Sequence, residues 1–157
     1  MLLYDVFIPE LIKIGLDSDN KNEVFEELVD HFCQNQKRKD REHLLEILWE
    51  RESKMSTGIQ NGIAIPHGKS AAIEEVRGII GISRKGIDYG AIDGQPVFVL
   101  FMLFIPDEDS EMYLRLLKHL TKLLDNPKFY PETLAQNDPH GVKRIIKKYE
   151  DIYLASE

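Results

Sequence analysis

The 157-residue sequence has little cysteine, no excess of positive charge and no apolar run of membrane length. Its single cysteine, Cys33, has no partner for an internal disulfide, which excludes a stapled scaffold and suits a reducing cytosol. Lys and Arg number 20 against 27 Asp and Glu, a formal net charge of −7, so nucleic-acid phosphates would repel the chain. The longest apolar run, 97–105, is far shorter than the about 20 residues that cross a bilayer. The N-terminal "MLLYDVFIPELIKIG" carries Asp5 and Glu10 and no basic start, so it does not read as a signal peptide. No P-loop or Rossmann glycine pattern points to ATP or NAD, and no His/Cys cluster to a metal. Neither a repeat, a low-complexity segment nor a Pro/Gly/Ser-rich linker divides the chain.

What remains is an ordinary globular composition, 43% hydrophobic and 30% charged, long enough for one domain with a full core. "NKNEVFEELVDHFCQ" opens with Asn20 and has Glu23 three residues on, a capping-box start, and Val24, Phe25, Leu28, Val29 and Phe32 recur at helical spacing. "DREHLLEILWERE" follows, with Asp40 as a cap, a stripe of Leu44, Leu45, Leu48 and Trp49, and Arg51 at the helix end. Further on, Ser110 caps a helix ending before Pro127, and Asp138 with Pro139 opens a last one. Between the helices, strands are expected at 63–65, 76–84 and 97–105, the last buried on both faces. Asp93-Gly94 marks a turn. Strands alternating with helices make an α/β layered domain.

One stretch carries the chemistry, "STGIQNGIAIPHGKS", residues 56–70. Pro66 should stop the strand 63–65, because proline gives no donor to a sheet ladder, and Gly68 gives the backbone room. His67 is then expected at a strand end, its imidazole held and reachable. Neutral imidazole is a nucleophile at cellular pH.

The longer stretch "RESKMSTGIQNGIAIPHGK" resembles the signature of the IIA proteins of the fructose–mannitol class in the bacterial phosphoenolpyruvate-dependent phosphotransferase system. "GIDYGAIDGQPVFVLFMLFIPDEDSEMYLRLLKHLTKLL" is similar to the family's second half, so the resemblance runs over about residues 5–150. It implies a single α/β domain, a mixed β-sheet flanked by helices on both faces. It also implies that His67 accepts a phosphoryl group from a histidine phosphocarrier protein through Nε2, giving a phosphohistidine, with Nδ1 fixed by a hydrogen bond to a backbone carbonyl. Arg51, sixteen residues before His67, is the implied phosphate-binding cation, with Ser56 and Thr57 as hydroxyl donors. Gly58, Gly62 and Gly68 would let backbone N–H groups approach an anion.

The wording of the motifs is most similar to the nitrogen-regulatory branch. The implied roles are therefore two: a carrier that passes its phosphoryl group to a downstream IIB domain, or a regulator whose phosphorylation state selects partners such as a sensor kinase or a potassium transporter. Neither role implies a cofactor, nucleic acid or direct membrane insertion, and the location expected is cytoplasmic.

Two positions depart from the family pattern. Where a second histidine is common the chain has Tyr113, able to donate an O–H bond to phosphate but bringing no positive charge. His119 does not replace it: six residues at about 100° each place it about 240° round the helix. Gln60 stands where glycine is frequent, stiffening the loop. His31, His43 and His140 read as structural.

Overall fold

The computed structural model describes residues 1–108 and 110–157, with Ser110 described by its backbone alone. In chain order the elements are a short α1 (Leu3–Val6), a 3-10 turn (Pro9–Leu11), β1 (Ile12–Ile14), α2 (Lys21–Gln36), α3 (Arg41–Glu52), β2 (Gly58–Gln60), β3 (Ile63–Ala64), β4 (His67–Ser70), β5 (Arg77–Ile87), β6 (Val97–Pro106), α4 (Ser110–Asp125), α5 (Phe129–Leu134) and α6 (Pro139–Ala155). The expected Ser110 cap lies outside the described residues.

The six-stranded mixed sheet is organised around β6, the longest apolar run. One edge of β6 pairs antiparallel with β5, which passes the sheet on to a parallel β1. The other edge carries β3 and then β4, both parallel to β6, with Ile63 opposite Val99 and His67 opposite Leu103. Alternation along β6 feeds two cores. Leu100, Met102 and Phe104 pack with α2 and α3; Val99, Phe101, Leu103 and Ile105 pack with α1, α4, α5 and α6. Helices therefore cover both faces, as the resemblance implied.

Several sequence expectations are refined by the geometry. Asn20 caps α2 by accepting from the Glu23 N–H at 2.9 Å, while the Glu23 carboxylate reaches back to the N–H of Asp19, one residue before the cap. Asp138 caps α6 at the His140 N–H. Asp40 sits at the start of α3 but does not cap it, because Arg38 engages both of its oxygens, at 2.9 and 2.5 Å. The strand expected to end at Arg84 runs on to Ile87, and the short elements β1 and β2 were not legible at all.

The main difference lies at Pro66, which interrupts the strand and does not end it. The carbonyl of Pro66 accepts from Leu103 N–H at 2.9 Å, and the chain resumes pairing with β6 at His67. α3 then seats directly on β4. A Cβ added at Gly68 would lie 2.8 Å from the Ile47 Cγ1 and 3.1 Å from that residue's backbone C and O. A larger residue must displace Ile47. Ile47, outside the stripe read from the sequence, is buried because α3 has neighbours on two sides. Arg51, one helical turn further on, is carried to the same place.

Gly68→Ala should therefore cost about 1–3 kcal/mol, as overpacking of a filled interior does, and lower the thermal midpoint. Thermal unfolding followed by circular dichroism checks it, and an unchanged midpoint would show that α3 has slack over β4.

Candidate functional site

Breaking a strand leaves backbone groups outside the ladder, and at 65–67 one of these is put to use. The Ile65 carbonyl accepts a hydrogen bond from His67 Nδ1 at 2.8 Å. A carbonyl has no proton to give, so Nδ1 carries the hydrogen, and in the neutral ring Nε2 is the acceptor nitrogen. The expected carbonyl partner is thus Ile65, two residues back along the chain.

His67 is less open than the sequence suggested, at 6% exposure. Its ring nevertheless borders a cavity of about 500 Å³, whose polar lining comes from Glu50, Arg51, Lys54, Lys69, Asp107 and Tyr113. Burial holds the imidazole pKa below its ordinary 6.5; the bond to Ile65 opposes this, while the positive charge of Arg51 adds to it, with smaller opposing effects from Glu52 and Lys69. His67 is therefore neutral at pH 7, the form in which Nε2 can attack.

Arg51 reaches the cavity from the last turn of α3 and also donates from Nη1 to the Met55 carbonyl at 2.7 Å. Arg51 thus combines a helix-end position with a place at the cavity. Tyr113, on the first turns of α4, places its hydroxyl 2.6 Å from His67 Nε2, the two rings edge to face at 85°. Lys69 lies above the Tyr113 ring, 4.1 Å from its centroid.

Ser56 and Thr57 do not join this group. Ser56 Oγ accepts from Gly58 N–H at 3.2 Å, a local turn contact. Thr57 is buried, and its hydroxyl donates to Glu52 at 2.6 Å and lies 2.7 Å from the Tyr89 hydroxyl. Glu52 is itself buried, and it gathers Thr57 N–H at 2.5 Å, Thr57 O–H and Tyr89 O–H, with Lys21 Nζ 3.7 Å away. Burying a carboxylate is costly unless donors surround it, and this one has three. It ties the end of α3, and so Arg51, to the start of β2.

Gly58 and Gly68 serve close packing. Gly58 lies where a Cβ would be 2.8 Å from both Ala91 Cβ and Tyr89 Cδ1, and Gly68 lies under Ile47. The loop before β6 is fastened to the β2–β3 hairpin by Asp93, whose carboxylate accepts from the N–H groups of Asn61 and Gln95, each at 3.0 Å.

The remaining histidines lie elsewhere. His31 Nε2 meets the Glu10 carbonyl at 2.9 Å, and His43 Nε2 meets Ser70 Oγ at 2.7 Å. His119 is buried beside Tyr153, 3.3 Å from the Glu150 carboxylate that caps α1 at the N–H groups of Leu3 and Tyr4. Among the described residues no three His, Cys, Asp or Glu side chains converge as a metal site would, and no helix is long and apolar enough to cross a membrane.

Sequence reasoning missed Lys54, Lys69 and Glu52. Strand alternation would have found Lys69, two residues after His67 and so on the same face, had 67–70 been read as a strand. Proline and glycine inside the motif hid that.

Known proteins bear on this geometry. The model of the family described as "Phosphoenolpyruvate-dependent sugar phosphotransferase system, EIIA 2" matches residues 5–149. The fructose-specific EIIABC component of Bacillus subtilis is 31% identical over 150 residues, 96% of this chain and 24% of that protein, so the chain spans about a quarter of it. A nitrogen regulatory protein of Bradyrhizobium diazoefficiens is 27% identical, covering 93% of this chain and 95% of its own. The crystal structure of nitrogen regulatory protein IIA-Ntr from Neisseria meningitidis has the same fold, with a TM-score of 0.85 at 24% identity over 92% of this chain and 98% of that one. With the match covering all but the ends of the sequence, the chain belongs to the EIIA 2 family of the phosphoenolpyruvate-dependent sugar phosphotransferase system.

Proposed function

We propose that the protein carries a phosphoryl group on His67 Nε2, received from a histidine phosphocarrier protein. The observation that carries this reading is the pairing of a fixed Nδ1–H, held by Ile65, with an acceptor Nε2 at a cavity bordered by Arg51, Lys54 and Lys69. The Nε2 lone pair forms the new N–P bond as the donor's N–P bond breaks, and the released electron pair stays on the donor imidazole. Nδ1 keeps its proton, so the phosphorylated ring is cationic and its N–H remains on the Ile65 carbonyl. Such transfers depend on positioning and on cancelling charge over the phosphoryl oxygens. Arg51, Lys54 and Lys69 supply that charge. The Thr57 hydroxyl is engaged by Glu52, away from the cavity.

The downstream step has two forms. The likeness to a fructose-specific component supports onward transfer to a IIB domain. The likeness to nitrogen regulatory proteins over nearly their full length supports a regulatory role in the cytoplasm, in which phosphorylation of His67 changes which partner is held, a sensor kinase or a potassium transporter among them. A phosphorylated protein that gives up its group to no IIB domain but binds partners according to its phosphorylation state is the regulatory form.

Incubation with phosphoenolpyruvate, the system's first enzyme and the histidine carrier should add one acid-labile phosphoryl mass. His67→Ala should add none; equal labelling of that variant would move the site elsewhere. Arg51→Ala should slow single-turnover acceptance by about 10²-fold or more, the usual loss when a preorganised charge donor is removed, and a rate within twofold of the parent would remove Arg51 from the site. The acceptance rate should stay level between about pH 7 and 8 and fall only below about pH 6.5, as Nε2 becomes protonated. An NMR titration of the His67 ring gives the matching midpoint. The sign for stability is the same. Between the lowered folded-state pKa and 6.5 the unfolded chain binds more proton, so the stability that neutral His67 contributes is lost as pH falls through that window.

A further inference from the structure

His67 is not ready to react as it stands. Its Nδ1 carries the ring's proton, so Nε2 has one in-plane lone pair, and the Tyr113 hydroxyl at 2.6 Å can only donate into it. That lone pair is the one a phosphorus atom must meet. The hydrogen bond and the N–P bond are mutually exclusive. The Tyr113 ring is also held from its face by the Lys69 ammonium, 4.1 Å from the centroid, on the same side of β4 as His67. Lys69 is thus directed to the tyrosine in the resting protein, although it borders the same cavity.

Resting on the carrier reading of His67, we propose that Tyr113 is a latch on the nucleophile: one swing of its ring frees Nε2 for attack and releases Lys69 to the incoming phosphoryl group. The order of events follows from the atoms. Tyr113 withdraws its O–H from Nε2; Nε2 bonds to phosphorus as the donor's N–P bond breaks; the Tyr113 proton stays on its oxygen throughout. The hydroxyl can then donate to a phosphoryl oxygen, and Lys69 supplies the positive charge that a phenol lacks. Burial pushes the Tyr113 phenol pKa up, which keeps the proton in place. Tyr113 and Lys69 act as a pair: the first withholds the nucleophile and the second is withheld with it.

The test uses the full chain and a probe that needs no partner protein. Diethyl pyrocarbonate acylates a neutral imidazole through a free lone pair, and modification of His67 is read by peptide mass. Tyr113→Phe keeps the ring under Lys69 and removes only the O–H. It should raise the His67 modification rate about three- to tenfold, the factor a single net hydrogen bond represents. The ring ¹⁵N signal of Nε2 should move toward that of a free acceptor nitrogen. An unchanged or slower modification rate overturns the latch. So does a wild-type Nε2 signal already at the free-acceptor position, which needs no variant. Lys69→Gln should slow phosphoryl acceptance without slowing modification by pyrocarbonate; equal slowing of both, or of neither, removes Lys69 from the proposal. If wild type accepts no phosphoryl group while Tyr113→Phe still accelerates modification, the carrier reading fails and the latch on the imidazole stands.

Discussion

The hydrogen bond from His67 Nδ1 to the Ile65 carbonyl is the constraint on which the site depends. It fixes one tautomer, and with it the atom that can act as a nucleophile. It lies at the junction of β3 and β4, where Ile65 N–H pairs with the Thr57 carbonyl and the Ile65 carbonyl is left to the imidazole. The ring it orients is the one that borders the cavity.

That constraint is held from outside by packing. β6 is a template on which β3 and β4 are laid end to end, so the position of His67 opposite Leu103 is set by sheet register and not by the loop. α3 is pressed onto β4 through the missing side chain of Gly68, and this contact brings Arg51 to the cavity. The buried Glu52 cluster then ties the next residue of α3 to β2 and to Tyr89. The polar residues of the motif thus fall into two groups, one facing the cavity and one securing the frame around it.

Electrostatics follow from the same arrangement. A protein with formal net charge −7 places Arg51, Lys54 and Lys69 around one ring. Burial and the Arg51 charge keep that ring neutral, while the carbonyl of Ile65 stands ready to hold the proton of a cationic phosphoimidazole. Tyr113 stands against the imidazole, and the positive charge at the cavity comes from Arg51, Lys54 and Lys69.

The sequence by itself determined the layered α/β class, the long strand 97–105, the main helices and the motif that holds both His67 and Arg51, which the structure places at one cavity. Each of these is written in local pattern: apolar periodicity, caps, and a motif long enough to be specific. Only the tertiary structure decided that Pro66 interrupts a strand without ending it, that Thr57 turns inward to Glu52 while Ser56 makes a turn, and that Asp40 pairs with Arg38 without capping α3. It alone brought Lys54 to the cavity and set Lys69 over the Tyr113 ring, with the Tyr113 hydroxyl at His67 Nε2. A hydroxyl or an ammonium has the same local spelling wherever it points. Its partner is chosen by which backbone can approach closely enough, and at Gly68 and Gly58 that is a property of the folded layers.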